Sequence, residues 1–168
     1  SRVHLVAEMD TLCTGKHTFA FVMAPMVHWP EVMVAYEETE KILFSADAFG
    51  RFGSLGRTAN APWAPQARRY YYNIVGKYGA QVQAVLKKAA GLEISMICPL
   101  HGPIWREDLG WLLDKYQKWS SYTPEENTVA IFYGSMYGNT AEAADLLAGK
   151  LAAAGVKGVT VRDVSKTD

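Results

Sequence analysis

Thr128-Val-Ala-Ile-Phe-Tyr133 is a short β-rich run, and Gly134-Ser-Met-Tyr-Gly-Asn-Thr140 follows it without a gap. The run is too short and too apolar for a surface helix, and it reads as a buried strand. An alanine-rich helix over 140–154 comes next, stops at Gly155, and hands over to a second strand at 159–163. Strand, helix and strand in that order form a β-α-β unit, the start of a doubly wound parallel sheet. Where its first strand gives way to the helix, backbone N–H groups and the hydroxyls of Ser135 and Thr140 can meet anionic oxygens, and Gly138 lets the backbone approach closely. The turn has no lysine and is therefore not a Walker loop. A plain capping turn, with Asn139 or Thr140 as N-cap, would use the same residues.

Upstream the character changes. Residues 120–127 are polar, include Pro124 and two glutamates, and read as a linker. Before them, 107–119 has helical spacing, with Leu109, Leu112, Leu113 and Tyr116 on one face. Residues 94–99 form another short buried strand. Residues 67–90 are helical, with Gly76 and Gly79 expected to divide them into two helices and Gly91 to stop the second. Residues 50–65, rich in Gly, Asn and Pro, read as a surface excursion without period. Residues 31–36 and 41–45 form a hairpin around Glu37-Glu38-Thr39-Glu40, and 18–25 is a strand ending at Pro25. Residues 2–8 read as a further strand. Both ends of the chain therefore look internal to larger units.

Composition excludes several classes. The chain has 168 residues with 17 Lys+Arg and 17 Asp+Glu, so no basic excess favours nucleic acid or a membrane surface. No apolar run is long enough to span a bilayer. Cys13 and Cys98 make no disulfide framework and are expected as buried thiols, which suits a reducing, cytoplasmic setting.

His28, Asp47 and His101 each fall at or just past the end of an expected strand, where loops present side chains to a cleft. Imidazole and carboxylate suit iron, zinc or manganese, and a carboxylate can bridge two metals about 3.5–4 Å apart. Taken singly, each has a plainer role, as a packed loop histidine or a turn-forming aspartate. His4 and His17 have no such context. Trp29, Trp105 and Trp111 are expected to pack in the core.

Four motifs in order carry a family resemblance. They are His28-Trp-Pro-Glu-Val-Met33, Phe44-Ser-Ala-Asp-Ala-Phe-Gly50, Cys98-Pro-Leu-His-Gly-Pro-Ile-Trp-Arg106, and the 134–140 turn. Together they closely resemble the flavodiiron (A-type flavoprotein) family. The resemblance implies an α/β fold: a partial metallo-β-lactamase-like αββα sandwich followed by the first β-α-β unit of a flavodoxin-like doubly wound sheet. It assigns 1–122 to the C-terminal part of the diiron domain, 123–127 to a linker, and 128–168 to the start of the FMN-binding domain. His28 would ligate one iron, Asp47 would bridge both, and His101 would ligate the other. Ser135, Met136, Tyr137, Gly138, Asn139 and Thr140 would hold the FMN phosphate. The implied activity is reduction of dioxygen to water, or of nitric oxide to nitrous oxide. The implied partners are an electron donor such as rubredoxin and a second subunit, in a head-to-tail dimer or a tetramer.

The sequence also departs from the family. The cluster His-x-Glu-x-Asp-His is absent, so about half of each site is present. Arg51-Phe52 stands where Gln-His commonly follows the Asp-Ala-Phe-Gly motif. Two other readings use the same residues: a zinc hydrolase of the metallo-β-lactamase superfamily, and a non-enzymatic flavin electron-transfer module. Hydrolysis needs no electron supply, which sets the β-α-β unit against the first of these.

Overall fold

The computed structural model describes residues 3–58 and 61–166 and divides into two compact units, 1–123 and 124–168. The first unit is one five-stranded sheet with helices on one face. Its strands are β1 (Thr11–Cys13), β2 (Thr18–Met23), β3 (Met33–Glu37), β4 (Ile42–Phe44) and β5 (Met96–Cys98), in spatial order 1-2-3-4-5. β1 to β4 pair antiparallel and β5 joins β4 in parallel, with Phe21 opposite Ala35 and Leu43 opposite Ile97. The short strands alternate as the pleat requires. Ala20, Val22, Val34, Tyr36, Leu43 and Ile97 are buried, whereas Met33 and Phe44 on the other face are exposed.

Four helices accompany the sheet's sequence: α1 (Leu55–Thr58), α2 (Trp63–Tyr70), α3 (Gly79–Ala89) and α4 (Leu109–Ser120). Helix α2 starts earlier than residue 67, and Pro65 in its first turn costs no hydrogen bond because that N–H would be unpaired anyway. The 76–79 glycines change the winding: a π turn (Tyr71–Val75) and a 3-10 turn (Gly76–Tyr78) join α2 to α3. Gly79 is needed for contact, since a Cβ there would strike the Ser120 carbonyl and lie 3.0 Å from the Tyr122 hydroxyl. Tyr71, Val82, Leu112, Tyr116 and Trp119 form the heart of the core.

Three sequence expectations are corrected. Residues 3–8 form no strand; they are mostly exposed and join no sheet ladder among the described residues, and Arg2 lies outside those residues. The strand at that end is β1, whose three residues are too few to register as a pattern. Cys13 is exposed rather than buried, because β1 is the sheet's edge, and Cys98 is partly buried. Trp29 is 59% exposed; Trp105 packs against the core cluster, and Trp111, 43% exposed, lays its ring against buried Trp63 with centroids 5.5 Å apart.

The second unit comprises β6 (Thr128–Tyr133), α5 (Asn139–Ala153) and β7 (Gly158–Asp163). β6 and β7 pair in parallel, with Thr128 opposite Gly158 and Tyr133 opposite Asp163. This is the β-α-β arrangement expected from the sequence, but β6 is not the buried strand expected: its residues alternate between exposed and half-buried.

Candidate metal centre and phosphate-binding turn

Each side chain of the candidate centre is set by the loop at the end of its strand. The β2–β3 loop closes through Ala24 N–H to Val32 O (2.8 Å), and buried Val27 anchors it beside His28. After β4 the chain turns tightly: Ala48 N–H meets Ser45 O at 3.0 Å, the Ser45 hydroxyl donates to Ala48 O at 2.8 Å, and Gly50 N–H meets Asp47 O at 3.1 Å. Leu100 N–H then donates to Ala46 O (2.8 Å), which ties the β5 loop and His101 to the Asp47 turn.

These loops bring all three expected residues together. His28 Nε2 lies 3.1 Å from Asp47 Oδ2, and His101 Nε2 lies 3.7 Å from Asp47 Oδ1. The carboxylate therefore stands between two imidazoles, one to each oxygen. Donor atoms about 2.1 Å from a shared metal and roughly 90–120° apart sit ~3.0–3.6 Å from each other; the His28 pair, which here is a hydrogen bond, falls within that range and the His101 pair just beyond it. Among the described residues no group of three or more His, Cys, Asp or Glu is arranged to hold a metal ion, so these three side chains are at most part of a ligand set.

The tautomer of His101 follows from its other nitrogen. Nδ1 lies 3.1 Å from the Arg51 carbonyl, which can only accept, so Nδ1 carries the proton. In the neutral ring Nε2 is then the acceptor nitrogen on the Asp47 side, the arrangement that orients a metal-binding histidine. Gly50 permits this placement: a Cβ there would collide with the His101 ring and sit 2.6 Å from Nδ1.

Two contributors escaped the sequence reading, Gly50 and Tyr70. The Tyr70 ring meets His101 edge-on, with centroids 4.8 Å apart. Its hydroxyl is buried and has no hydrogen-bond partner among the described residues. Burial first, and then the charge of Asp47, raise the phenol above its usual value, so it remains an O–H donor. The signal available in the sequence was the run Tyr70-Tyr71-Tyr72, of which the first two residues are buried and the third is exposed.

In the second unit the turn after β6 brings Gly138 N–H to the Ser135 hydroxyl oxygen at 3.0 Å. Gly138 has φ 95° and is itself the N-cap of α5, which makes no side-chain capping bond. The alternative of Asn139 or Thr140 as N-cap is thereby corrected, since both lie inside the helix. Glu142 N–H reaches Gly138 O at 3.0 Å, while the N–H groups of residues 139–141 precede the first intrahelical bond and lie beside the exposed Thr140. Met136 and Tyr137 are each 87% exposed. Glu142, in the same first turn, opposes an anion.

Residues 3–102 match the model of the ODP family β-lactamase. The anaerobic nitric oxide reductase flavorubredoxin of Aeromonas hydrophila is 35% identical over 153 residues, 86% of this chain and 31% of that protein. The flavodiiron protein from Giardia intestinalis superposes with TM-score 0.82 at 30% identity, covering 98% of this chain and 42% of that one. Rubredoxin oxygen:oxidoreductase from Desulfovibrio gigas does so with TM-score 0.83 at 31% identity, with 98% and 43% coverage. The chain thus spans less than half the length of each of these proteins. Its β-lactamase-like sheet, the parallel unit that follows and these matches agree: the chain belongs to the flavodiiron protein family.

Proposed function

We propose that this chain supplies one side of a two-iron centre and the phosphate-binding end of an FMN site. The whole protein would be an oxidoreductase that reduces dioxygen to water, nitric oxide to nitrous oxide, or both. The observation that carries the reading is the Asp47 carboxylate with one imidazole at each oxygen. His28 would hold one iron, His101 the other, and Asp47 would bridge them. The remaining ligands would come from residues outside this sequence. Residues 1–122 would form the C-terminal part of the diiron domain and 128–168 the start of the FMN-binding domain, joined by 123–127.

Iron and FMN, when bound, supply the electron storage and transfer that reduction of a diatomic gas requires. The chain's own residues do the positioning. Arg51 O fixes the His101 tautomer, and Gly50 leaves room for the ring. Tyr70 would offer its unpaired O–H to an oxygen atom at the centre. Ser135, Met136, Tyr137, Gly138, Asn139 and Thr140 would bind the FMN phosphate through hydroxyls and first-turn N–H groups.

The names of the relatives support a rubredoxin-type electron donor. A head-to-tail dimer or tetramer in the cytoplasm completes the proposal. Among the described residues no helix is long and apolar enough to cross a membrane. The test is the metal and flavin content of the intact protein. Two irons and one FMN per chain are expected. Zinc without flavin would mean a hydrolase, and FMN without metal an electron-transfer module.

A further inference from the structure

We infer that the apolar cavity under the strand ends is an entry and docking site for a small apolar diatomic gas, an inference that rests on the proposed gas-reducing reading. The cavity, about 40 Å³, lies between the sheet and helices α3 and α4, among Val22, Val34, Leu43 and Val82. Val27 and Ala48 also line it. Val27 immediately precedes His28, and Ala48 immediately follows Asp47, so the cavity wall and the candidate centre are built from the same two loops.

The wall favours gas over water. A buried water needs two to four polar partners, whereas apolar cavities stay dry and take up xenon. Two hydroxyls reach this wall, and both are engaged: Ser45 donates to Ala48 O at 2.8 Å, and the Tyr116 oxygen accepts from Phe49 N–H at 2.7 Å. A diatomic gas needs no hydrogen bond and gains dispersion contact with the walls.

The route in would run past side chains that the cavity shares with a neighbouring cleft. A wider cleft of about 460 Å³ opens between α3 and α4, and Leu86, Leu92, Ile94 and Leu113 line both it and the cavity. Gas entering between the helices would follow an apolar path to the back of the Asp47 turn. The exposed side of His28 and Asp47 would be left to larger or charged species.

The test uses crystals of the metal-loaded protein held under xenon. Xenon density among Val22, Val34, Leu43 and Val82 is expected. It should be lost in Val34→Ile/Val82→Ile, whose added methyl groups fill the space. Ordered water there, or an empty cavity, would overturn the inference, as would xenon retained in the filled variant. Leu86→Phe, at the partly exposed mouth, gives an independent readout. It should slow the association of nitric oxide measured after flash photolysis, at unchanged metal content. An unchanged association rate would overturn the entry route. Failure of the iron reading appears separately, as zinc or no metal on analysis, and leaves the xenon result standing.

Discussion

Gly50 shows how a residue with no side chain can set the position of a candidate metal ligand. Its Cα lies so close to the His101 ring that any Cβ must displace the imidazole. The ring cannot retreat freely, because Nδ1 is held by Arg51 O and its far edge meets Tyr70. Gly50→Ala should therefore leave the sheet folded but swing His101 away from Asp47. Loss of such orienting contacts lowers metal affinity by about 10–100-fold. Iron titration of the variant, beside its circular dichroism spectrum, checks this; wild-type affinity with a normal spectrum would refute the steric argument. Tyr70 invites the opposite kind of substitution. Its buried hydroxyl has no partner among the described residues, so Tyr70→Phe removes a desolvation penalty and no hydrogen bond. The variant should be as stable as wild type or more so by up to about 1 kcal/mol in chemical denaturation. A marked loss of stability would reveal a bond that the hydroxyl makes elsewhere.

At the scale of elements, the β3–β4 turn is held by one carboxylate. Burial alone would raise Glu37, but backbone N–H bonds from Glu40 (2.6 Å) and Thr39 (2.9 Å), with His17 at 3.2 Å, outweigh it and hold the group at about 2, against 4.5 for a free glutamate. Because the folded value is the lower one, the stabilisation is complete above the unfolded value and is lost as pH falls from about 4.5 toward 2. Glu37→Gln should melt below wild type at neutral pH, and the gap should narrow across that window. A gap that stays constant with pH would assign Glu37 a purely steric role. The α3–α4 contact gives a second element-level test. Gly79→Ala forces a methyl group against Ser120 O and Tyr122, which should cost about 1–3 kcal/mol in urea unfolding.

The same elements explain what could be read from the chain beforehand. β2, β3, β4 and α4 were legible because their apolar residues repeat with the period of the element they form. The meeting of His28, Asp47 and His101 at one place was legible because each follows a strand. β1 was not, since three residues carry no period. Neither was the contribution of Tyr70, because its place beside His101 depends on how α2 and β5 pack, and no local pattern encodes that. Gly50 matters only through a contact with a residue 51 positions away, which no local spacing reveals.

At the scale of the whole chain, the two units differ in how much they bury. The first has a continuous core from Val22 to Trp119, whereas in the second Ala144 is the one buried hydrophobic among the described residues. Phe132, Leu146 and Leu147 are 67%, 63% and 47% exposed. Parallel strands are ordinarily covered on both faces, and a sheet of two strands is marginal by itself. The 124–168 unit should therefore open far more often than the 1–123 unit. Hydrogen exchange on the dilute chain tests this: amides of β6 and β7 should exchange well before those of β2 and β3, although their ladders are equally regular. Equal protection in dilute solution would mean that the second unit is stable without further cover. If protection of β6 and β7 rises with protein concentration, the exposed apolar faces are associating between molecules. Added FMN should slow exchange at the start of α5 without changing β2 and β3, because ligand binding stabilises the state that binds it. No change there at any FMN concentration would count against the phosphate role of residues 135–140.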